Sequence, residues 1–165
     1  MNNLRFFERI VRNTSRLTAL PAAEIKELSA ALEQPHPFEV RNIHPDLPKK
    51  VKVLFDDGHY AEATFESCKY LDHFIGKHAP ATKAGEARMM AAFSESSPII
   101  KLTAMSNDSE KDEQRGYKFL FAGTMVAIRN PRGHEHSVID DPGLCLDHLG
   151  LVSALLRRLN KAGLK

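Results

Sequence analysis

From Tyr60 to Ile75, apolar and small residues recur at every third or fourth position: Tyr60, Ala63, Thr64, Ser67, Cys68, Leu71, Phe74 and Ile75. That is the period of an α-helix with one buried stripe. Glu62, Glu66, Lys69 and Asp72 fall between its members. Nowhere does the chain show the two-residue alternation and hairpin turns that an antiparallel sheet needs, and it has no internal repeat. An all-α fold follows, in which the other segments are helices that must cover this stripe.

The remaining segments can be read the same way. Val51, Leu54 and Phe55 mark a helix that stops at Asp56-Asp57-Gly58, so it and the Tyr60 helix should form an antiparallel pair. Ala84 to Phe93 is helix-compatible through Met89, Met90 and Phe93, whereas Ile99, Ile100 and Leu102 suit a brief strand or a packed loop. Ser106, Asn107 or Asp108 can cap a helix from about Glu110 to Ile128. Its apolar band is wide: Phe119, Gly123 and Val126 on one face, with Leu120, Ala127, Phe121 and Ile128 broadening it. Such a band belongs to a central bundle helix or to a dimer helix. The last helix turns Cys145, Leu149, Val152, Leu155, Leu156 and Leu159 inward, carries Arg157, Arg158 and Lys161 near its C-terminus, and ends at Gly163.

The N-terminal part reads differently. Leu4, Phe7, Ile10 and Val11 alternate with Arg5, Arg9, Arg12 and Arg16 as in a short amphipathic helix with a basic face, either solvated or in contact with a nucleic acid or partner. A second helix starts at Pro21, with Ile25, Leu28, Ala31 and Leu32 as its stripe. Pro35, Pro37, Pro45 and Pro48 then interrupt any continuous helix, and the segment reads as a linker or extended arm. We place the boundary near residue 40, giving a helical extension with a Pro-rich linker over 1–40 and a helical bundle over 41–165. His36 and His44 in the linker have no companion at ligand spacing, so a metal is not expected there.

Composition narrows the function. Hydrophobic residues make up 42% of the chain and charged residues 27%, as in ordinary globular domains, and the formal net charge of +2 excludes a global basic field. Nucleic-acid binding would need a local patch or a dimer cleft. The two cysteines, Cys68 and Cys145, lie in apolar helical patterns and lack a C-x-x-C partner, which suits buried thiols in a reducing cytoplasm rather than a disulfide or zinc site. Neither a signal peptide nor a membrane span is expected. There is no phosphate loop of the G-x-x-x-x-G-K-[ST] type, no H-E-x-x-H and no G-x-S-x-G elbow.

The chemistry gathers in Arg129-Asn130-Pro131-Arg132-Gly133-His134, between the helix ending near Ile128 and the one starting near Leu144. Proline removes a backbone N–H and disfavours helix at the preceding residue, so the helix is expected to end or kink here. Arg129 and His134 are thereby gathered at one helix end. A plain helix stop with a basic last turn explains the same residues. His134-Glu135-His136 suits a metal only in an extended segment, and a surface cluster is the simpler reading.

Four stretches carry a resemblance. They are H-P-D-L-P-K-K-V-K-V-L-F-D-D-G-H-Y-A-E-A, F-L-F-A-G-T-M-V-A-I-R-N-P-R-G-H, the D-D-P at 140–142, and L-D-H-L-G-L-V-S-A-L-L-R-R-L. In order and without a large gap, they make the span from His44 to Leu159 resemble the Ymh-type family of prokaryotic HEPN-like proteins. The wider HEPN superfamily is similar in architecture and in an R-x(4–6)-H motif with a polar residue after the Arg. Arg129, Asn130 and His134 fit that pattern. The resemblance implies an antiparallel helical bundle that dimerises and brings two motifs to one cleft. It also implies a metal-independent endoribonuclease without cofactor, in phage defence or a toxin–antitoxin setting, or else a non-catalytic module that binds RNA or docks on an antitoxin or other defence protein.

The chemistry is coherent. Cutting RNA without a metal requires the 2′-OH to attack the adjacent phosphate, a base to take its proton, and an acid to protonate the leaving oxygen. Histidine suits both proton transfers, and an arginine fork suits the phosphate. His134 and Arg129 are the candidate catalytic residues, with Asn130 holding His134 or the phosphate. Arg132, Glu135 and His136 are candidate RNA contacts, although a solvated loop explains them as well. Glu66 either faces the motif across the bundle or faces solvent. A third reading makes the stretch only a shaper of a subunit interface, with Arg129 paired to a carboxylate such as Asp140 or Asp141 and His134 buried.

Overall fold

The computed structural model describes residues 35–80, 82–134 and 139–165; the amphipathic stretches expected before residue 35 lie outside them. All regular structure among the described residues is helical. Residues 35–40 belong to a first unit and form a single turn, Pro37–Val40, in which the His36 carbonyl accepts the Glu39 and Val40 N–H groups.

The second unit, Arg41–Lys165, holds helices α1 (Lys49–Asp56), α2 (Tyr60–His78), α3 (Glu86–Ala92), α4 (Asp108–Gly123), a π-helical segment (Thr124–Arg129), α5 (Asn130–His134) and α6 (Pro142–Lys161). α2 is the central element, packed on α1, α3, the π segment, α5 and α6. Its buried residues Ala63, Thr64, Ser67, Cys68, Leu71, Phe74 and Ile75 are the stripe read from the sequence, less Tyr60, which is half-buried, and with Asp72 added.

α1 reverses into α2 at Gly58, whose φ of 82° is a left-handed turn that glycine accepts without strain. The Asn107 side chain caps α4 by accepting the Glu110 N–H, and the Glu110 carboxylate in turn accepts the Ser106 N–H. At α6, Asp141 accepts the Gly143 and Leu144 N–H groups, with Pro142 in the first turn.

Residues 41–48 do not form a free arm. His44 is buried; its N–H donates to Ser153 Oγ at 2.9 Å, its Nε2 meets the Asn160 amide at 3.0 Å, and Arg157 donates to the Asn42 carbonyl. The segment is strapped to α6. Ile99–Leu102 is a packed loop rather than a strand. Buried Gln114 holds it, accepting the Leu102 N–H and donating to the Ile100 carbonyl, while Arg158 donates to the Leu102 carbonyl.

The wide apolar band of α4 is divided. Phe121, Ala122 and Met125 are buried, with Phe121 stacked on Phe93. Phe119, Leu120 and Val126 are exposed by 56%, 50% and 44%, beside exposed Gly116, Gly123 and Ala127. The helix read from the sequence as doubly buried is therefore covered on one side only among the described residues.

Candidate functional site

Pro131 shapes the site, but not by stopping the helix. Its ring carries no N–H and would press on the carbonyl one turn back in an unbroken α-helix. Upstream, the backbone widens to π geometry over Thr124–Arg129, where the Asn130 N–H reaches the Met125 carbonyl five residues back. The wider turn accommodates the ring, and helix continues through Asn130–His134. The expected helix end is thus a change of hydrogen-bond register, and the motif residues project from a continuous helical path.

Arg129 and Arg132 lie in very different surroundings. Arg132 is inside the protein: its side chain is 7% exposed and that of Asp140 2%. Nε and Nη2 donate to the two Asp140 oxygens at 2.7 Å each, and Nη1 donates to the Ile128 carbonyl at 2.8 Å. This bidentate pair fastens α5 to the segment that leads into α6. The fork is turned away from the surface, where contact with a phosphate would need it.

Arg129 has no carboxylate partner among the described residues. Its Nη1 donates to Asn130 Oδ1 at 3.1 Å, its Nε is buried without a hydrogen-bond partner, and its guanidinium carbon lies 5.4 Å from the centre of the Phe65 ring on α2. Asn130 therefore holds Arg129 rather than His134. His134, at the end of α5, is exposed. Glu135 and His136 lie outside the described residues. Glu66 does not face the motif; it pairs with Lys50 at 3.2 Å and Lys69 at 3.5 Å. Asp141 serves as the cap of α6.

Phe65 and Gly133 meet closely. A Cβ on Gly133 would lie 2.8 Å from Phe65 Cε2. Glycine here serves close approach of backbone to ring, since its φ is not in the left-handed region.

The wall behind the motif is buried. Burial pushes the Cys68 thiol up to about 12, against the opposing pull of Ser67, Arg132 and Arg129. Cys145 is raised by burial as well, and both thiols are free and buried. His148, two turns into α6, has its Nδ1 buried without a partner. Burial lowers its pKa, helped by Arg132 and opposed by Asp140 and Asp147. Among the described residues no group of three or more His, Cys, Asp or Glu is arranged to hold a metal ion, and no helix is long and apolar enough to cross a membrane.

Sequence reading singled out Arg129, Asn130 and His134, which lie on one helical path, and did not single out Phe65 or His148. Phe65 sits at the margin of the α2 stripe and gives no periodic signal. His148 was open to detection only through its place on the helix that Asp140 and Asp141 introduce.

A family described as "Protein of unknown function (Hypoth_ymh)" matches residues 41–159. No curated protein and no solved structure matches the chain.

Proposed function

The chain belongs to the Hypoth_ymh family of unknown function, and we propose that it is a metal-independent endoribonuclease of the HEPN type. The observation that carries this reading is Arg129: a cation with no carboxylate among the described residues and a buried, unsatisfied Nε–H, in the same helical stretch as the exposed His134. A buried donor without a partner costs about 1–3 kcal/mol, so the guanidinium is held in this place without a counter-charge, and its outer nitrogens are assigned to the phosphate. Arg129 is the phosphate clamp, and Asn130 fixes one of its nitrogens.

In the proposed reaction the 2′-oxygen attacks the neighbouring phosphorus as a histidine takes the 2′ proton. The bond to the 5′-oxygen breaks, and a second protonated histidine gives that oxygen its proton. The products are a 2′,3′-cyclic phosphate and a free 5′-OH. One motif supplies one His134, so the reaction is assigned to a homodimer. The face of Phe119, Leu120 and Val126, which leads along α4 and the π segment to Asn130, is its proposed interface. A phage-defence or toxin–antitoxin setting belongs to the same proposal.

The reading in which the motif only shapes an interface has Arg129 paired with a carboxylate such as Asp140 or Asp141 and His134 buried. Within the chain, Asp140 is bound by Arg132 and Asp141 caps α6, which favours the clamp reading. The test is cleavage of mixed-sequence RNA in EDTA by wild type, His134→Ala and Arg129→Ala, matched for sedimentation mass and thermal stability. Wild type should sediment as a dimer and cut, and each variant should lose roughly 100-fold or more. RNA binding without cleavage by wild type would leave a non-catalytic module, and full activity in His134→Ala would move the site elsewhere.

A further inference from the structure

We propose that Phe65 is the positioning residue of the site: a shelf on α2 that fixes the Arg129 guanidinium without neutralising it. The inference rests on the ribonuclease reading for its consequence in activity, but not for its geometry.

The two arginines of the motif are held by opposite means. Arg132 is held by a carboxylate, which cancels its charge. Arg129 lies over an aromatic face at 5.4 Å. A ring quadrupole attracts a guanidinium yet contributes no formal negative charge. The cation is therefore oriented while its full charge remains for an anion. An arginine meant to meet a phosphate needs that combination, because a carboxylate in place of the ring would compete with the phosphate.

The ring is itself gauged at its edge. Gly133 lies one turn after Arg129 on the same helical path, so the two address one side of it. A Cβ at Gly133 would stand 2.8 Å from Phe65 Cε2, with Cδ2 at 3.5 Å and Cζ at 3.6 Å, an approach to one corner of the ring. The ring thus meets the Arg129 side chain with its face and the α5 backbone, next to His134, with its edge. Its position on α2 ties the place of the guanidinium to that of the backbone that carries His134. Phe65 is half-buried whereas Thr64, Ser67 and Cys68 beside it are buried, so the ring lies at the edge of the core, where the motif crosses α2.

The experiment compares Phe65→Leu, Phe65→Tyr, Gly133→Ala and the double variant Phe65→Leu/Gly133→Ala in the full chain. The first readout is the Arg129 Nε–Hε resonance by NMR, assigned through Arg129→Lys. It should be shifted upfield by the ring in wild type and in Phe65→Tyr, and should lose that shift in Phe65→Leu. The second readout is kcat/KM on RNA in EDTA. Phe65→Leu should lose roughly 10-fold to 100-fold at near wild-type thermal stability, a magnitude expected of a misplaced clamp, while Phe65→Tyr stays close to wild type. Gly133→Ala should disturb both readouts in the presence of the ring and add little in the double variant, because the clashing carbon has gone.

If Phe65→Leu leaves the Arg129 resonance in place, or Phe65→Tyr is as defective as Phe65→Leu, the shelf is wrong. If the resonance behaves as expected and wild type cuts no RNA, the shelf stands and the ribonuclease reading fails. Should Phe65→Leu not fold, Gly133→Ala alone decides: an unmoved Arg129 resonance there overturns the proposal.

Discussion

Arg132 and Asp140 are both buried, and each is the other's counter-charge. Removing one member of such a pair leaves a charge in a medium that solvates it poorly. Asp140→Asn should therefore destabilise the fold by about 3 kcal/mol or more in urea unfolding, whereas the exposed His134→Ala should change stability by less than about 0.5 kcal/mol. Equal stability of the two variants would mean that the Arg132 clasp does not hold the motif. Little of this was legible in the sequence. Asp140 and Arg132 are separated by residues 133–139, and either arginine of the motif suits either aspartate by type. Only the fold shows that Arg132, on the inward side of α5, reaches Asp140, and that Asp141 is left to cap α6.

At the scale of elements, the π segment decides where the motif points. Proline at 131 was legible as a disruption of helix, but its outcome was not, because a stop, a kink and a widened turn all satisfy a missing N–H. The structure takes the widened turn, in which the Asn130 N–H reaches the Met125 carbonyl. Pro131→Ala restores a backbone donor and allows regular α-helix through the motif. It should preserve or raise thermal stability while RNA cleavage falls, because relaxing the wide turn rotates Arg129 and His134 off their path. Unchanged cleavage would contradict a role for the π geometry. By contrast, the α2 stripe was readable residue by residue, since a helix buried on one face writes its period into the chain. α4 was readable only as apolar: periodicity cannot separate a face covered within the chain, such as Phe121 and Met125, from one left exposed, such as Phe119 and Val126.

At the scale of the whole Arg41–Lys165 unit, histidines couple stability to pH. His44 straps the start of the unit to α6, and its pKa is lowered from 6.5, first by burial and then by Arg157, against the opposing effect of Asp46. His148 is lowered for the same main reason. A histidine kept neutral by the fold takes its proton more readily in the unfolded chain, so the unfolded state binds more protons just below 6.5. Stability is complete above that value and falls as pH drops through it. Thermal midpoints should therefore decline from about pH 7.5 to about pH 5.5, and His44→Gln should flatten part of the decline; a midpoint that rises over this range would contradict the assignment.

The central claim is a 2′-OH attack at Arg129 and His134 in a dimer, and one substrate comparison tests it most directly. Wild type and a stability-matched His134→Ala are incubated in EDTA with a mixed-sequence RNA pool and with the same pool 2′-O-methylated throughout. The account predicts cleavage of the unmodified pool by wild type alone, with 2′,3′-cyclic phosphate ends. No cleavage by wild type, cutting of the methylated pool, or unchanged cutting by His134→Ala would contradict it.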